Sequence, residues 1–154
     1  MKKIILLSVL FILPFAYANA EYVDLGLPSG TLWNDVNEGK NFRCSYSDAV
    51  VKFEENLPTK EQFEELVYLC KWLWTGKGYK VEGLNGNCIY IPAAGFRDCD
   101  GYVLNSGMYG FYWSSSLYDI NRVYYLYFDV DKVKVYYGRY DGHQTCGRSI
   151  RLVK

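Results

Sequence analysis

The sequence is nearly without histidine: there is one, His143, in 154 residues. It has five cysteines but no Cys-x-x-Cys pair. A structural zinc site draws on four closely spaced Cys or His ligands, so such a site is poorly supported. A serine nucleophile needs a base beside it, and the serines of "YWSSS" at 112–116 have only that one loop histidine to draw on. Positive charge is not in excess, since 17 Lys and Arg balance 17 Asp and Glu. That excludes the basic footprint of a nucleic-acid binder. After residue 20 there is neither an apolar run long enough to span a bilayer nor a low-complexity linker that would divide the chain.

The first twenty residues, "MKKIILLSVLFILPFAYANA", have two lysines, an apolar run from Ile4 and a small-x-small ending at Ala18-Asn19-Ala20. This pattern predicts a signal peptide over 1–20, cleaved after Ala20. The run contains Pro14 and is short for a span of roughly 20 residues. The residue directly after Ala20 is Glu21 and not Cys, which argues against a lipid anchor. The expected product is one exported domain over 21–154, periplasmic, on the cell surface or extracellular. Loss of Lys2 and Lys3 leaves 15 basic against 17 acidic residues. Export permits disulfides. Five cysteines (Cys44, Cys70, Cys88, Cys99 and Cys146) is an odd number, so at least one thiol is free or pairs between chains, with the pairing open.

Residues 22–33, "YVDLGLPSGTLW", predict strand, turn and strand. "SYSDAVVKFEEN" predicts a short amphipathic helix. "LPTKEQFEELVYLCKWLW" predicts a longer one. Thr59 and Gln62 there form a capping box, and Glu61, Glu64 and Glu65 lie early, with Lys71 late, as the helix dipole favours. Phe63, Leu66, Val67, Cys70 and Trp74 recur at helical spacing and should face the core, and Gly76 and Gly78 should stop the helix. After Gly83 the chain turns to short strands such as "CIYIP", punctuated by glycines. Two helices followed by many short strands predict an α+β class.

Six ordered motifs, "DLGLPSGTLW", "LPTKEQFEEL", "NGNCIYIPAAGFRD", "YGFYWSSS", "YYLYF" and "GRSIRLV", resemble the Fibrobacter succinogenes major paralogous domain. They are also similar to the C-terminal domain of Lcl-type adhesins, and more distantly to C-type lectin-like and formylglycine-generating-enzyme folds. The resemblance covers about 22–153. It implies a C-type lectin-like fold in which terminal strands pair and two helices flank short antiparallel strands. It also implies a loop-rich ligand region on an exported protein. The tail "VYYLYFDVDKVKVYYGRYDGHQTCGRSIRLV" is similar to the variable segment of proteins diversified by retroelements, in which adenine-directed change rewrites Asn codons. Tyr125, Tyr127, Asp129, Tyr136, Gly138, Tyr140 and Asp141 are possible products of that change; Lys132, Lys134 and Gln144 are not. A diversified and an invariant member both fit.

The stretch Arg122 to His143 holds six of the sixteen tyrosines. Period-two alternation predicts a hairpin of 123–130 with 133–137, turned at Asp131 and Lys132. Tyr124, Leu126, Phe128, Val130, Val133, Val135 and Tyr137 fall on the more apolar side, expected to be core. Val123, Tyr125, Tyr127, Asp129, Lys134 and Tyr136 fall on the other. Tyrosine offers large rigid area, a hydroxyl and little entropy to lose. The expected ligand-binding set is therefore Tyr118, Asp119, Tyr125, Tyr127, Asp129, Lys134, Tyr136, Arg139, Tyr140, Asp141 and His143. The expected partner is a cell-surface glycan or protein.

No catalytic residue, cofactor or required metal is predicted. "WND" at 33–35 lies early and without a Glu-Pro-Asn or Gln-Pro-Asp partner, and "DCDG" at 98–101 and "DVD" at 129–131 lack calcium-loop spacing. Arg97 and Asp98 are expected to pair within their loop, and Trp113 to be core. The functional expectation is a non-enzymatic, adhesin-like binding domain. An oxidase or other enzyme on the same fold and a self-assembling surface module are the alternatives, with the oligomeric state open.

Overall fold

The computed structural model describes residues 21–39, 43–140 and 147–154. The predicted signal peptide, Asp141 and His143 lie outside the described residues. The chain opens with a hairpin of β1 (Tyr22–Asp24) and β2 (Leu32–Asn34). Its turn is closed by Gly30 N donating to Leu27 O at 2.9 Å. β2 also bonds to the C-terminus: Leu32 N donates to Lys154 O, and Lys154 N returns a bond to Leu32 O, each 3.0 Å. The ends of the described chain are thus stitched together.

β3 (Arg43–Cys44) leads into α1 (Tyr46–Phe53), capped by Ser45 Oγ accepting from Asp48 N. α2 (Lys60–Leu69) begins with the predicted capping box: Thr59 accepts from Gln62 N, and Gln62 Oε1 accepts from Thr59 N at 2.8 Å. It buries Phe63 and Leu66 completely.

The helix does not run on to Trp74. Cys70 is already extended (φ −93°, ψ 157°), and β4 (Lys71–Trp74) follows at once. Val67, Cys70 and Trp74 match a helical stripe, but Trp72 and Trp74 match period two equally well. Tertiary pairing decides, because β5 (Gly78–Glu82) and β6 (Cys88–Pro92) complete a three-stranded antiparallel meander with β4. Trp72 and Trp74 pack on the core while Lys71 and Leu73 face out. Trp72 Nε1–H donates to Leu66 O at 3.1 Å, a carbonyl that the Cys70 amide also reaches, and so ties β4 to the last turn of α2.

A small pair, β7 (Phe96–Arg97) with β8 (Val103–Leu104), precedes the main sheet. That sheet has the order β11-β10-β9-β12-β3, with β9 (Gly110–Asp119), β10 (Arg122–Phe128), β11 (Val133–Arg139) and β12 (Arg148–Ser149). The larger core lies between α2, the meander and one face of β9–β11, around Trp33, Phe63, Ile91, Tyr112, Leu126 and Phe128. The smaller lies under α1, around Cys44, Ala49, Trp113, Val123 and Ile150.

The expected α+β, C-type lectin-like arrangement with two flanking helices is therefore not what forms. The described chain is mostly β, 44% strand against 17% helix, with two short helices and several small sheets. The second helix loses its last turn to a strand, and the glycine-punctuated half pairs locally as hairpins. Burial is carried by sheet faces more than by helices. No described helix is long and apolar enough to cross a membrane.

Candidate functional site

The predicted hairpin forms, and its register sorts the tyrosines. Leu126 pairs with Tyr112 and Val135, and Phe128 with Gly110 and Val133, all on the core side. On the reverse side Tyr125 lies between Trp113 and Tyr136, and Tyr127 between Phe111 and Lys134. Cross-strand neighbours are the unit of contact in such a sheet, so these residues make a continuous run of rings. Phe96 meets Phe111 at 5.3 Å between centroids, Phe111 meets Tyr127 at 5.3 Å, and Tyr127 meets Tyr136 at 5.6 Å, all edge to face. Tyr109 extends the run, 6.1 Å from Tyr127. Tyr136 is 39% exposed; Phe96, Tyr109, Phe111, Tyr125 and Tyr127 are half-buried. A hollow of about 260 Å³ adjoins the face, lined by Trp74, Met108, Tyr109, Asp129, Val130 and Asp131.

Asp129 holds this end of the face together. Its Oδ1 accepts from the amides of Asp131 (2.9 Å) and Lys132 (3.0 Å), which closes the β10–β11 turn, and its Oδ2 accepts from the Tyr127 hydroxyl at 2.7 Å. Partial burial opposes ionisation of this carboxyl. The Tyr127 hydroxyl and the two amides outweigh that and hold it below the usual carboxylate range. Burial, then the Asp129 contact, push the Tyr127 phenol above its ordinary value. The polar atoms of Asp129 and Tyr127 are thus engaged within the protein. The rings, Tyr136, Lys134 and Asp131 are what the face offers outward.

At the inner end of the run lies Arg148, which the sequence reading did not single out. Its guanidinium sits 3.6 Å from the Tyr125 centroid, 4.1 Å from Trp113 and 5.9 Å from Phe111. Nη1 is buried without a hydrogen-bond partner, and burial lowers the pKa to about 10. The signal was present in "GRSIRLV", where a charged residue stands among strand-forming apolar ones. Its partners could not be read without the fold, because they are rings rather than carboxylates.

Of the other predicted site residues, the described ones, Tyr118, Asp119, Arg139 and Tyr140, do not join this face. Tyr118 stacks on Tyr137 at 3.9 Å and 8°, with Tyr124 edge-on to both, at the far end of the hairpin. Arg122 covers Tyr118 at 4.3 Å and donates through Nε to Asp119 Oδ2 at 2.7 Å. Tyr124 and Tyr137 were expected in the core; Tyr124 is half-buried and Tyr137 is 45% exposed, because the sheet runs past the layer that α2 covers. Val123, expected outward, is fully buried. It keeps the side of Tyr125, as the unbroken β10–β11 register requires, and at this end that side carries the smaller core, on which Tyr125 also packs. Val130, expected in the core, is 55% exposed because β10 ends at Phe128. Tyr140 packs on Tyr46 at 4.8 Å and donates to Ile120 O at 2.9 Å, a structural role. Arg139 is exposed at the strand's end, opposite Arg122.

Arg97 and Asp98 form no ion pair. The Asp98 carboxylate instead accepts from Asp100 N and Tyr102 N and caps its own turn. Trp113 is core, and its Nε1–H donates to Cys44 O at 2.9 Å. The serines of 114–116 are joints. Ser116 Oγ accepts from Lys60 N, and Ser115 N donates to Pro58 O, fastening the start of α2 to β9. Trp33 and Asn34 of the "WND" triplet are buried in β2. Cys44, Cys70 and Cys88 are free thiols, whereas Cys99 is disulfide-bonded. Burial raises the Cys44 and Cys70 pKa values to about 11, away from nucleophilic use. Among the described residues no three His, Cys, Asp or Glu side chains gather to hold a metal.

Residues 71–153, over half the chain, match a family described as a domain of unknown function, DUF8237. The match begins at β4 and takes in the meander and the whole aromatic face. No curated protein and no solved structure matches.

Proposed function

The chain belongs to the DUF8237 domain family, and from the geometry of this member we propose a non-enzymatic recognition domain that binds a glycan on the outer face of β9–β11. The observation that carries the reading is the unbroken run Phe96–Phe111–Tyr127–Tyr136, with Tyr109 leading into the hollow beside Asp131. Sugars present flat apolar C–H faces and a fringe of hydroxyls, and aromatic rings with a few polar groups match both. The rings are held before any ligand arrives, by edge-to-face contacts, by the Asp129 turn and by Arg148 behind Tyr125. Preorganised rings lose little entropy on binding.

An array of immobilised oligosaccharides tests this. Wild-type protein should be retained on a defined subset of sugars, and the Tyr109→Ala/Tyr136→Ala double variant should lose at least tenfold in affinity, the size expected when anchor rings are removed. Tyr118→Ala, at the far end of the hairpin, should bind as wild type. Equal binding by the double variant, or no retained sugar, would refute the proposal.

A further inference from the structure

A second concavity, of about 630 Å³, lies away from the ring face. It is bounded by Asn37, Arg43, Lys77, Tyr90, Ser106 and Ser149, and its volume suits a small organic ligand. Among the described residues that line it none is Asp or Glu, while two are cations. Arg43 is fixed beneath it, donating through Nε to Ala94 O at 2.9 Å. Lys77 stands exposed at the rim on the β4–β5 turn, and no carboxylate among the described residues pairs with it. Behind the wall Arg151 is fully buried, its Nη1 and Nη2 donating to Asn34 O (2.8 Å) and Tyr90 O (2.7 Å) while Nε has no partner. The carboxylate that tempers this charge is Asp35, outside the cavity lining. A low-dielectric wall holding cations attracts an anion.

The neutral groups narrow the anion further. Tyr112 spends its one hydroxyl proton on Pro92 O at 2.6 Å. Its contact with Asn37 at 2.9 Å must therefore be Nδ2–H donating to the phenol oxygen. That fixes the amide and leaves Asn37 Oδ1 buried in the wall without a donor, a state that buried acceptors rarely occupy. Ser106 and Ser149 also belong to the lining, and Tyr90 with Pro92 and Ala93 supplies apolar wall. A bare inorganic anion would match Lys77 but neither the hydroxyl groups nor the apolar wall.

We propose that this cavity binds a hydroxylated carboxylate of the acidic-monosaccharide class. The carboxylate meets Lys77 over the Arg43 floor, sugar hydroxyls donate toward Asn37 and the serines, and the ring lies against Tyr90. The inference does not rest on the aromatic face, whose ring residues line none of this cavity.

The test is an NMR titration of the full chain with methyl glucuronide, using methyl glucoside, acetate and inorganic phosphate as separate arms. The glucuronide should shift the amides of Lys77, Ala94 and Gly107 saturably, and each of the other three should bind at least tenfold more weakly. Lys77→Gln, an exposed change that keeps the melting temperature, should weaken glucuronide at least tenfold, while Tyr136→Ala should leave it unchanged. Equal binding of the glucoside would overturn the role of charge. Equal binding of acetate or phosphate would reduce the site to a simple anion trap and overturn the sugar class. Absence of saturable shifts at these amides would overturn the site itself.

Discussion

Gly110 supports the aromatic face from beneath. It pairs with Phe128 across β9 and β10, and the Phe128 ring lies over the glycine so closely that a Cβ there would meet three ring carbons at under 3.0 Å. The ring cannot step aside, because Tyr112, Tyr79 and Trp72 pack around it at 6.0, 5.4 and 6.1 Å. Overpacking a closed site costs about 1–3 kcal/mol; replacing a strand glycine by alanine otherwise returns about 0.5–1 kcal/mol. With the ring hemmed in, Gly110→Ala should lose a net ~2 kcal/mol. Gly138 is the control. A Cβ there meets Tyr125 Cε1 at 3.3 Å and otherwise only the Tyr125 hydroxyl at 3.8 Å, so Gly138→Ala should stay within about 1 kcal/mol of wild type. Urea unfolding followed by far-UV circular dichroism would measure both. Phe128→Leu, though destabilising alone, should recover part of the Gly110→Ala loss, giving a coupling above about 1 kcal/mol in a double-mutant cycle. If the two glycine variants lose equally little, or the cycle shows no coupling, Phe128 does not lie on Gly110. The register that places Phe111 beside Tyr127 on the other face would then be wrong as well.

Trp72→Phe keeps a ring in the core but removes the indole N–H from Leu66 O, so it should cost about 1–2 kcal/mol in the same assay. Burial raises the phenol of Tyr46 to about 12 and the thiols of Cys44 and Cys70 to about 11. Each folded pKa lies above its unfolded value. The folded state therefore binds the extra proton, and stability is lost as pH climbs past about 9 for the thiols and about 10 for the phenol. Phenolate absorbance at alkaline pH should rise together with loss of circular dichroism for Tyr46, and a freely titrating Tyr46 in folded protein would contradict its burial. Arg148 is held over rings with Nη1 unpartnered. Arg148→Met keeps the packing and removes a buried cation, so stability should change by less than about 2 kcal/mol; a loss above about 3 kcal/mol would show a charged partner absent from this account.

Much of the ring face was legible because strand periodicity is local. Tyr125, Tyr127, Tyr136 and Lys134 share a side, as alternation requires, and the Asp131–Lys132 turn forms where expected. Parity gave Val123 its side but not its burial. The smaller core that covers it is built by Cys44, Ala49, Trp113 and Ile150, and nothing within 122–128 announces it. Fold class failed at residue 70 for a related reason. Cys70 and Trp74 fit a helix by spacing, and only the partner strand Gly78–Glu82 makes them extended. Phe96, Tyr109, Phe111 and Arg148 were missed because they reach the face from β7, the start of β9 and β12, strands brought together by pairings distant in sequence. The free or bonded state of the cysteines was likewise beyond spacing alone.

Whether the β9–β11 outer face is the recognition surface is decided by mapping amide shifts on labelled protein during titration with the oligosaccharide that the array retains most strongly. Saturable shifts are expected at Tyr109, Phe111, Tyr127, Asp131 and Tyr136, with Tyr118 and Ile120 unmoved. Shifts gathered instead at Tyr118, Ile120 and Arg122, or none on β9–β11, would contradict that reading.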